Sequence, residues 1–191
     1  MWKLSDDLHR LSTGPVAAIT LVVFLLFTAL VLPQQASEAE ASTGGADSPD
    51  TSLVYSPAEL YAMAEAYGPE GRAAYVRARF TFDLIWPLVY LAFLVTAIGW
   101  LSRKAFAPNS AWRLVNLVPV AGAVLDYLEN VTAALVVGRY PARTPVVDLL
   151  APIFTFLKWI FVGGSFVVLA AMLLIALWRF AMSRSAGHRN R

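Results

Sequence analysis

Asp126, Glu129, Asn130 and Lys158 lie inside stretches that are otherwise apolar for the thickness of a bilayer. Crossing a hydrocarbon layer takes about 20 helical residues, and at least ~17. Four stretches reach that length: 16–32, 80–101, 114–138 and 146–178. An ionisable group at mid-span costs roughly 2.5–3.5 kcal/mol on insertion scales, so three of them left alone would cost about 8–10 kcal/mol. Mutual pairing, a watery cavity or a ligand has to offset that cost. The polar interruptions therefore mark a place where these helices meet each other instead of lipid.

The rest of the composition agrees with a membrane chain. Of 191 residues, 58% are hydrophobic and 15% are charged, where soluble domains carry nearer one-quarter charged residues. The expected fold is all-α: a polytopic four-transmembrane-helix bundle with a short extracytoplasmic amphipathic helix. Cysteine is absent and the two histidines, His9 and His188, lie in the polar tails. Thiolate chemistry, disulfides and a bis-histidine haem between the helices are thereby excluded. Neither a metal nor a cofactor is expected. The net charge of +2 is too small and too concentrated at span ends to suggest nucleic acid.

Basic residues are divided unevenly between the two sides. Lys3, Arg10, Arg103, Lys104, Arg113, Arg179, Arg184, Arg189 and Arg191 fall on one side, and Arg72, Arg77, Arg79, Arg139 and Arg143 on the other. The positive-inside rule then predicts a multi-pass protein of the cell membrane with both termini cytoplasmic. A rival reading makes 1–33 a cleaved signal peptide, with Ala39-Glu40-Ala41 as a loose cleavage site. The length of the first apolar run and the acidic Asp6 and Asp7 favour an uncleaved span.

Along the chain, 1–15 reads as an N-terminal cytoplasmic segment and 16–32 as the first span. Residues 33–55 are small, polar and rich in Gly, Ser and Ala, the composition of a flexible extracytoplasmic loop. Ser56-Pro57-Ala58-Glu59 is a helix start with a capping box. Leu60, Met63, Ala64 and Tyr67 then share one face of a surface helix over 56–67, which either covers the bundle or closes over a cavity as a lid. A helix over 70–101 is expected to run unbroken into the second span. Helices over 112–138 and 146–178 complete the bundle, and the basic tail 179–191 is expected to meet anionic lipid.

Positions three, four and seven apart share a helix face. Arg79, Asp83, Pro87, Tyr90 and Leu94 form such a stripe in the second span. Pro119, Gly122, Asp126, Glu129, Asn130 and Ala133 form another in the third, and Ala151, Thr155, Lys158, Val162 and Ser165 a third in the fourth. At 1.5 Å per residue, Asp126 and Lys158 both lie ~18 Å from the outer ends of their spans, with Tyr90 ~15 Å, Glu129 ~13 Å and Asp83 ~5 Å in. Arg79 and Asp83, four apart, are expected to satisfy one another near the surface. Asp126 and Glu129 are expected to share Lys158. Pro87, Pro119 and Pro152 read as packed kinks, and Gly163-Gly164 as a close helix contact. Most tryptophans, Trp86 among them, read as interfacial anchors, and Trp159 as a wall of the cluster.

Two resemblances add to this reading. Ala66-Tyr67-Gly68-Pro69-Glu70-Gly71-Arg72, Asp83-Leu84-Ile85-Trp86-Pro87-Leu88-Val89-Tyr90, Asp126-Tyr127-Leu128-Glu129-Asn130 and Phe156-Leu157-Lys158-Trp159 resemble an uncharacterised prokaryotic family of four-helix membrane proteins over about residues 56–175. That family brings a fold and no activity. In architecture alone the chain is similar to sterol isomerase-like four-helix proteins, whose cavity histidine it lacks.

Three functions fit these residues. The favoured one is binding, with transport as an extension, of a small amphiphile or lipid in an outer-leaflet polar cavity. Its candidate residues are Asp83, Tyr90, Asp126, Glu129, Asn130, Thr155 and Lys158. The second is a membrane enzyme acting on a lipid or isoprenoid through an Asp126/Glu129 acid–base pair. The third is a structural or assembly subunit in which the cluster is an inert staple.

Overall fold

Apolar side chains face outward along every long helix, while the polar stripes are turned inward. Ile19, Val22 and Leu26, then Leu84, Ile85 and Leu88, then Val124, Val131 and Leu135, then Ile153, Ile160 and Val167 are all exposed. Asp126, Glu129, Asn130, Thr155 and Lys158 are all buried. That inversion of the usual soluble arrangement is what a bundle in hydrocarbon requires. The computed structural model describes residues 1–189. Beyond Arg179, the tail expected to meet anionic lipid lies outside the described side chains, apart from Met182.

All regular structure among the described residues is helical. Helix α1 (Trp2–Leu11) precedes α2 (Gly14–Leu26), which passes through a π-helical stretch at Phe27–Val31 into α3 (Leu32–Thr43). Then come α4 (Pro57–Ala66), α5 (Gly68–Arg79), α6 (Phe82–Ala105), α7 (Val118–Arg139) and α8 (Val147–Arg189). Four stretches are long and apolar enough to cross a membrane: Gly14–Thr43, Gly68–Ala105, Ala111–Arg139 and Val147–Arg179.

Sequence-level and observed boundaries differ in three places. The segment 33–55, read as a flexible loop, carries α3 as far as Thr43 and a 3-10 turn at Pro49–Thr51. Gly44, in the left-handed conformation with φ 65°, ends α3. The composition misled because Ala, Glu and Gln, which dominate 34–43, are also good helix formers. The helix expected to run unbroken over 70–101 stops at Arg79 and restarts at Phe82. Phe80 and Thr81 close the break with i→i−3 bonds to the Arg77 and Ala78 carbonyls at 3.2 Å. Pro119 sits in the first turn of α7, behind a 3-10 stretch at Ala111–Leu117, so it kinks nothing.

The capping box is formed: Glu59 N–H donates to Ser56 Oγ at 3.3 Å and Ser56 N–H to Glu59 Oε2 at 2.6 Å. Helix α4 packs on α7 and α8, its Leu60, Tyr61 and Ala64 buried in one apolar core with Ala133, Val136, Val137 and Ala151. A second core joins Tyr90, Leu94, Ile98 and Ala123 to Leu169 and Met172 at the other end of the bundle. The polar stripes lie in the layer between these two cores.

Close helix contact occurs where side chains are missing, though not where the sequence suggests. A Cβ on Gly163 or Gly164 would meet nothing within 4 Å. A Cβ on Gly122 would come within 2.9 Å of Val162 Cγ2 and 3.2 Å of its backbone nitrogen, so α7 and α8 approach there. Gly71 lets α3 dock on α5, since a Cβ would stand 2.6 Å from the Ser42 carbonyl oxygen. Gly99 admits the end of α1, since a Cβ there would collide with the Ser12 side chain. Ser5 Oγ donates to Asn116 Oδ1 at 2.8 Å, Arg103 Nη1 to the His9 carbonyl at 2.8 Å, and Thr20 bonds Thr96 at 2.7 Å. These tie α1 and α2 to the rest of the bundle.

Candidate functional site

The interruption at Phe80–Thr81 carries Arg79 into the interior at the head of α6. Its Nε meets Asp83 Oδ2 at 2.9 Å, its Nη1 pairs with Asp50, and the same Nη1 donates to Asn130 Oδ1 at 3.4 Å. The Arg79–Asp83 pair expected from sequence is thus present, with Arg79 buried and Asp83 partly buried, and Asp50 joins it from the preceding connection. Asp50 sits in the Pro49–Thr51 turn, and Ser48 Oγ donates to its Oδ2 at 3.2 Å. Burial alone would push the Asp50 carboxyl up, but the Arg79 guanidinium outweighs it and holds the group below the usual carboxylate range.

Asp126 and Glu129 do not share Lys158. Three residues apart on α7, they diverge to different partners. Glu129 Oε2 forms an ion pair with Lys158, and its Oε1 accepts from Thr155 Oγ1 at 2.9 Å. Tyr55 OH lies 2.9 Å from the same Thr155 oxygen, giving a chain Tyr55 to Thr155 to Glu129. Burial holds the Tyr55 hydroxyl above its ordinary pKa, so it stays a donor. Asp126 Oδ2 accepts from Tyr90 OH at 2.8 Å and its Oδ1 from Asn130 Nδ2 at 3.3 Å. No cation among the described residues is in ion-pair contact with Asp126. Repulsion between two carboxylates in a dry layer favours this divergence.

Beside these groups lies a cavity of about 950 Å³. Asp50, Arg79, Asp83, Asp126 and Lys158 contribute its polar part. Trp86, Tyr90, Trp159, Val162 and Phe166 contribute an apolar part, and α3 with the 45–51 segment forms a side of it. Of the two roles weighed for the surface helix, cover of the bundle and lid, the second finds no support: no α4 residue lines the cavity. Spans 1 and 4 touch at Phe24 and Phe166, ring centroids 6.0 Å apart, and Leu32 of the first and Trp159 and Val162 of the second all line the cavity. Trp86 packs inside the bundle. It stacks on Phe24 at 5.8 Å and Phe27 at 5.6 Å and meets Tyr90 edge-on at 5.7 Å.

Of the seven candidates read from sequence, Asp83, Tyr90 and Asp126 line the cavity with Lys158. Glu129, Asn130 and Thr155 stand behind them and hold their partners. Asp50, Tyr55, Tyr75 and Trp86 escaped the sequence reading. Ser48-Pro49-Asp50 was a readable turn signal, but nothing local tells that its carboxylate enters the bundle. Among the described residues no group of His, Cys, Asp and Glu is arranged to hold a metal ion. No family model, no curated protein and no solved structure matches this chain.

Proposed function

We propose that this chain is a cell-membrane protein with both termini cytoplasmic that binds a small amphiphile or lipid in the cavity between spans 1, 2, 3 and 4. The supporting observation is the two-part lining. A polar layer of Asp50, Asp83, Asp126, Arg79 and Lys158 adjoins an apolar wall of Trp86, Trp159, Val162 and Phe166. A headgroup would sit against the first and an acyl or isoprenoid tail against the second, leaving toward lipid between spans 1 and 4. Pockets of roughly 300–1,000 Å³ with few polar groups in an apolar setting are typical small-molecule sites. The Lys158–Glu129 pair is a staple between α7 and α8, and it fixes the wall from which Trp159 projects.

The test is thermal unfolding of purified protein with and without a native lipid extract, for wild type, Asp126→Asn and Trp159→Ala. The expected result is that a lipid fraction stabilises wild type and that both variants fold but lose that gain. Wild type indifferent to every fraction, or variants that respond as wild type does, would overturn the proposal.

A further inference from the structure

Charge around the cavity does not balance. Six carboxylates and three cations line it. Glu38, Glu40 and Asp47 are exposed, with Arg77 beside them, so the rim itself is acidic. Deeper in, Arg79 serves two carboxylates, Asp50 and Asp83, and Lys158 is taken by Glu129. Asp126 is left with two neutral donors, one on each oxygen. Asp126 is only 8% exposed, a buried negative charge without an ion-pair partner is costly, and an anionic ligand would add to the cost.

A second observation points to a ligand. Tyr75 lines the cavity, is only 5% exposed, and its hydroxyl has no hydrogen-bond partner. A phenolic hydroxyl can donate or accept, so the charge around it sets the sign of the ligand. The walls add Trp86 and Trp159, whose indole rings attract cations. Arg79 already lies 4.5 Å from the Tyr75 ring centre and Lys158 5.3 Å from that of Trp159.

We infer that the ligand is a cationic amphiphile, a protonated amine or quaternary ammonium on an apolar tail, with its positive head placed against Asp126. This rests on the amphiphile reading above. The acidic rim concentrates cations at the entrance, Asp126 supplies a carboxylate that no described residue pairs with, and the Trp86–Trp159–Phe166 wall holds the tail. A primary ammonium would donate to Asp126 and the Tyr75 oxygen. A quaternary head has no N–H and would rely on charge and the aromatic faces.

The experiment places full-length protein in phosphatidylcholine nanodiscs and titrates four probes with the same twelve-carbon tail: dodecylamine, dodecyltrimethylammonium, dodecyl maltoside and dodecyl phosphate. Binding is read by tryptophan fluorescence and by thermal unfolding. Both ammonium probes are expected to bind at least about tenfold more tightly than maltoside, equivalent to about 1.4 kcal/mol. Asp126→Asn, which keeps an acceptor for Tyr90, is expected to abolish that preference. The wild-type preference stands as a test by itself if the variant does not fold. Tyr75→Phe removes a hydroxyl and no charge, so it is expected to weaken dodecylamine, spare the quaternary probe and keep the preference of both over maltoside; loss of that preference would overturn the placement of the head against Asp126. Maltoside or phosphate binding as tightly as the ammonium probes overturns the inference and leaves the amphiphile reading intact. No binding by any probe overturns both.

Discussion

Asp50 and Arg79 meet across 29 residues of chain, and their ion pair anchors the connection after α3 to the head of α6. Arg79 is buried while the Asp50 side chain is 29% exposed, so the pair lies where the cavity meets the outside. Asp50→Asn should cost about 1–3 kcal/mol, the range for losing a charged hydrogen bond, and should speed proteolysis within 44–51. The pH dependence has a definite sign. The folded Asp50 pKa is depressed, so its contribution is complete above the ordinary carboxylate value of about 4 and disappears as pH falls through the folded value. The gap in melting temperature between wild type and Asp50→Asn should therefore be constant from pH 7 to 5 and narrow below about 4. A gap that is unchanged down to pH 3 would show that Asp50 contributes no ion pair.

Lys158 and Glu129 are both buried, with side chains 8% and 1% exposed. Breaking such a pair from one side strands the other charge and costs about 3–5 kcal/mol, whereas replacing both with apolar groups of similar size is often neutral. Lys158→Met and Glu129→Leu should each lower the melting temperature sharply, and the double variant should recover most of the loss. A double variant worse than either single one would mean that the pair holds water or other polar groups in place.

The sequence made the helices and the inward stripes legible because both follow from periodicity, which is local. Asp126, Glu129, Asn130, Thr155 and Lys158 are all buried where the 3–4–7 spacing puts them on one face. Partner choice was not legible. Arithmetic over charges suggested one shared lysine, but side-chain direction sends Glu129 to α8 and Asp126 to Tyr90 on α6. Asp50 was invisible for a different reason. Its position depends on α3 ending at Gly44 and on Gly71 admitting α3 against α5, contacts between segments distant in sequence. Gly163-Gly164 misled because adjacent glycines look like a packing notch, while the notch between α7 and α8 is at Gly122.

Gly122→Ala and Gly163→Ala should accordingly act in opposite directions. At Gly122 the added methyl meets Val162 Cγ2 at 2.9 Å and backbone behind it, so α7 and α8 must separate. Overpacking of that kind costs typically 1–3 kcal/mol, more than the roughly 0.5–1 kcal/mol that alanine returns to a helix. Because Val162 also lines the cavity, Gly122→Ala should weaken amphiphile binding as well as stability. Gly163→Ala, with nothing within 4 Å, should be neutral or stabilising by up to about 1 kcal/mol. Thermal unfolding of the two variants side by side checks this, and equal destabilisation would place the helix contact elsewhere.

The absence of cysteine makes the orientation directly measurable. Ser37 is exposed on α3, and Asn109 is exposed in the connection between α6 and α7. Nine basic residues flank the side that holds Asn109 and five the side that holds Ser37, so the positive-inside rule puts Asn109 in the cytoplasm. A membrane-impermeant maleimide applied to intact cells should label Ser37→Cys at once and Asn109→Cys only after permeabilisation. That result would open the cavity, with α3 and Asp50 beside it, to the outer leaflet. The reverse pattern would open it to the inner leaflet, where anionic lipids concentrate. An acidic rim would then repel the lipids nearest to it, and the ligand would have to be drawn from the cationic minority.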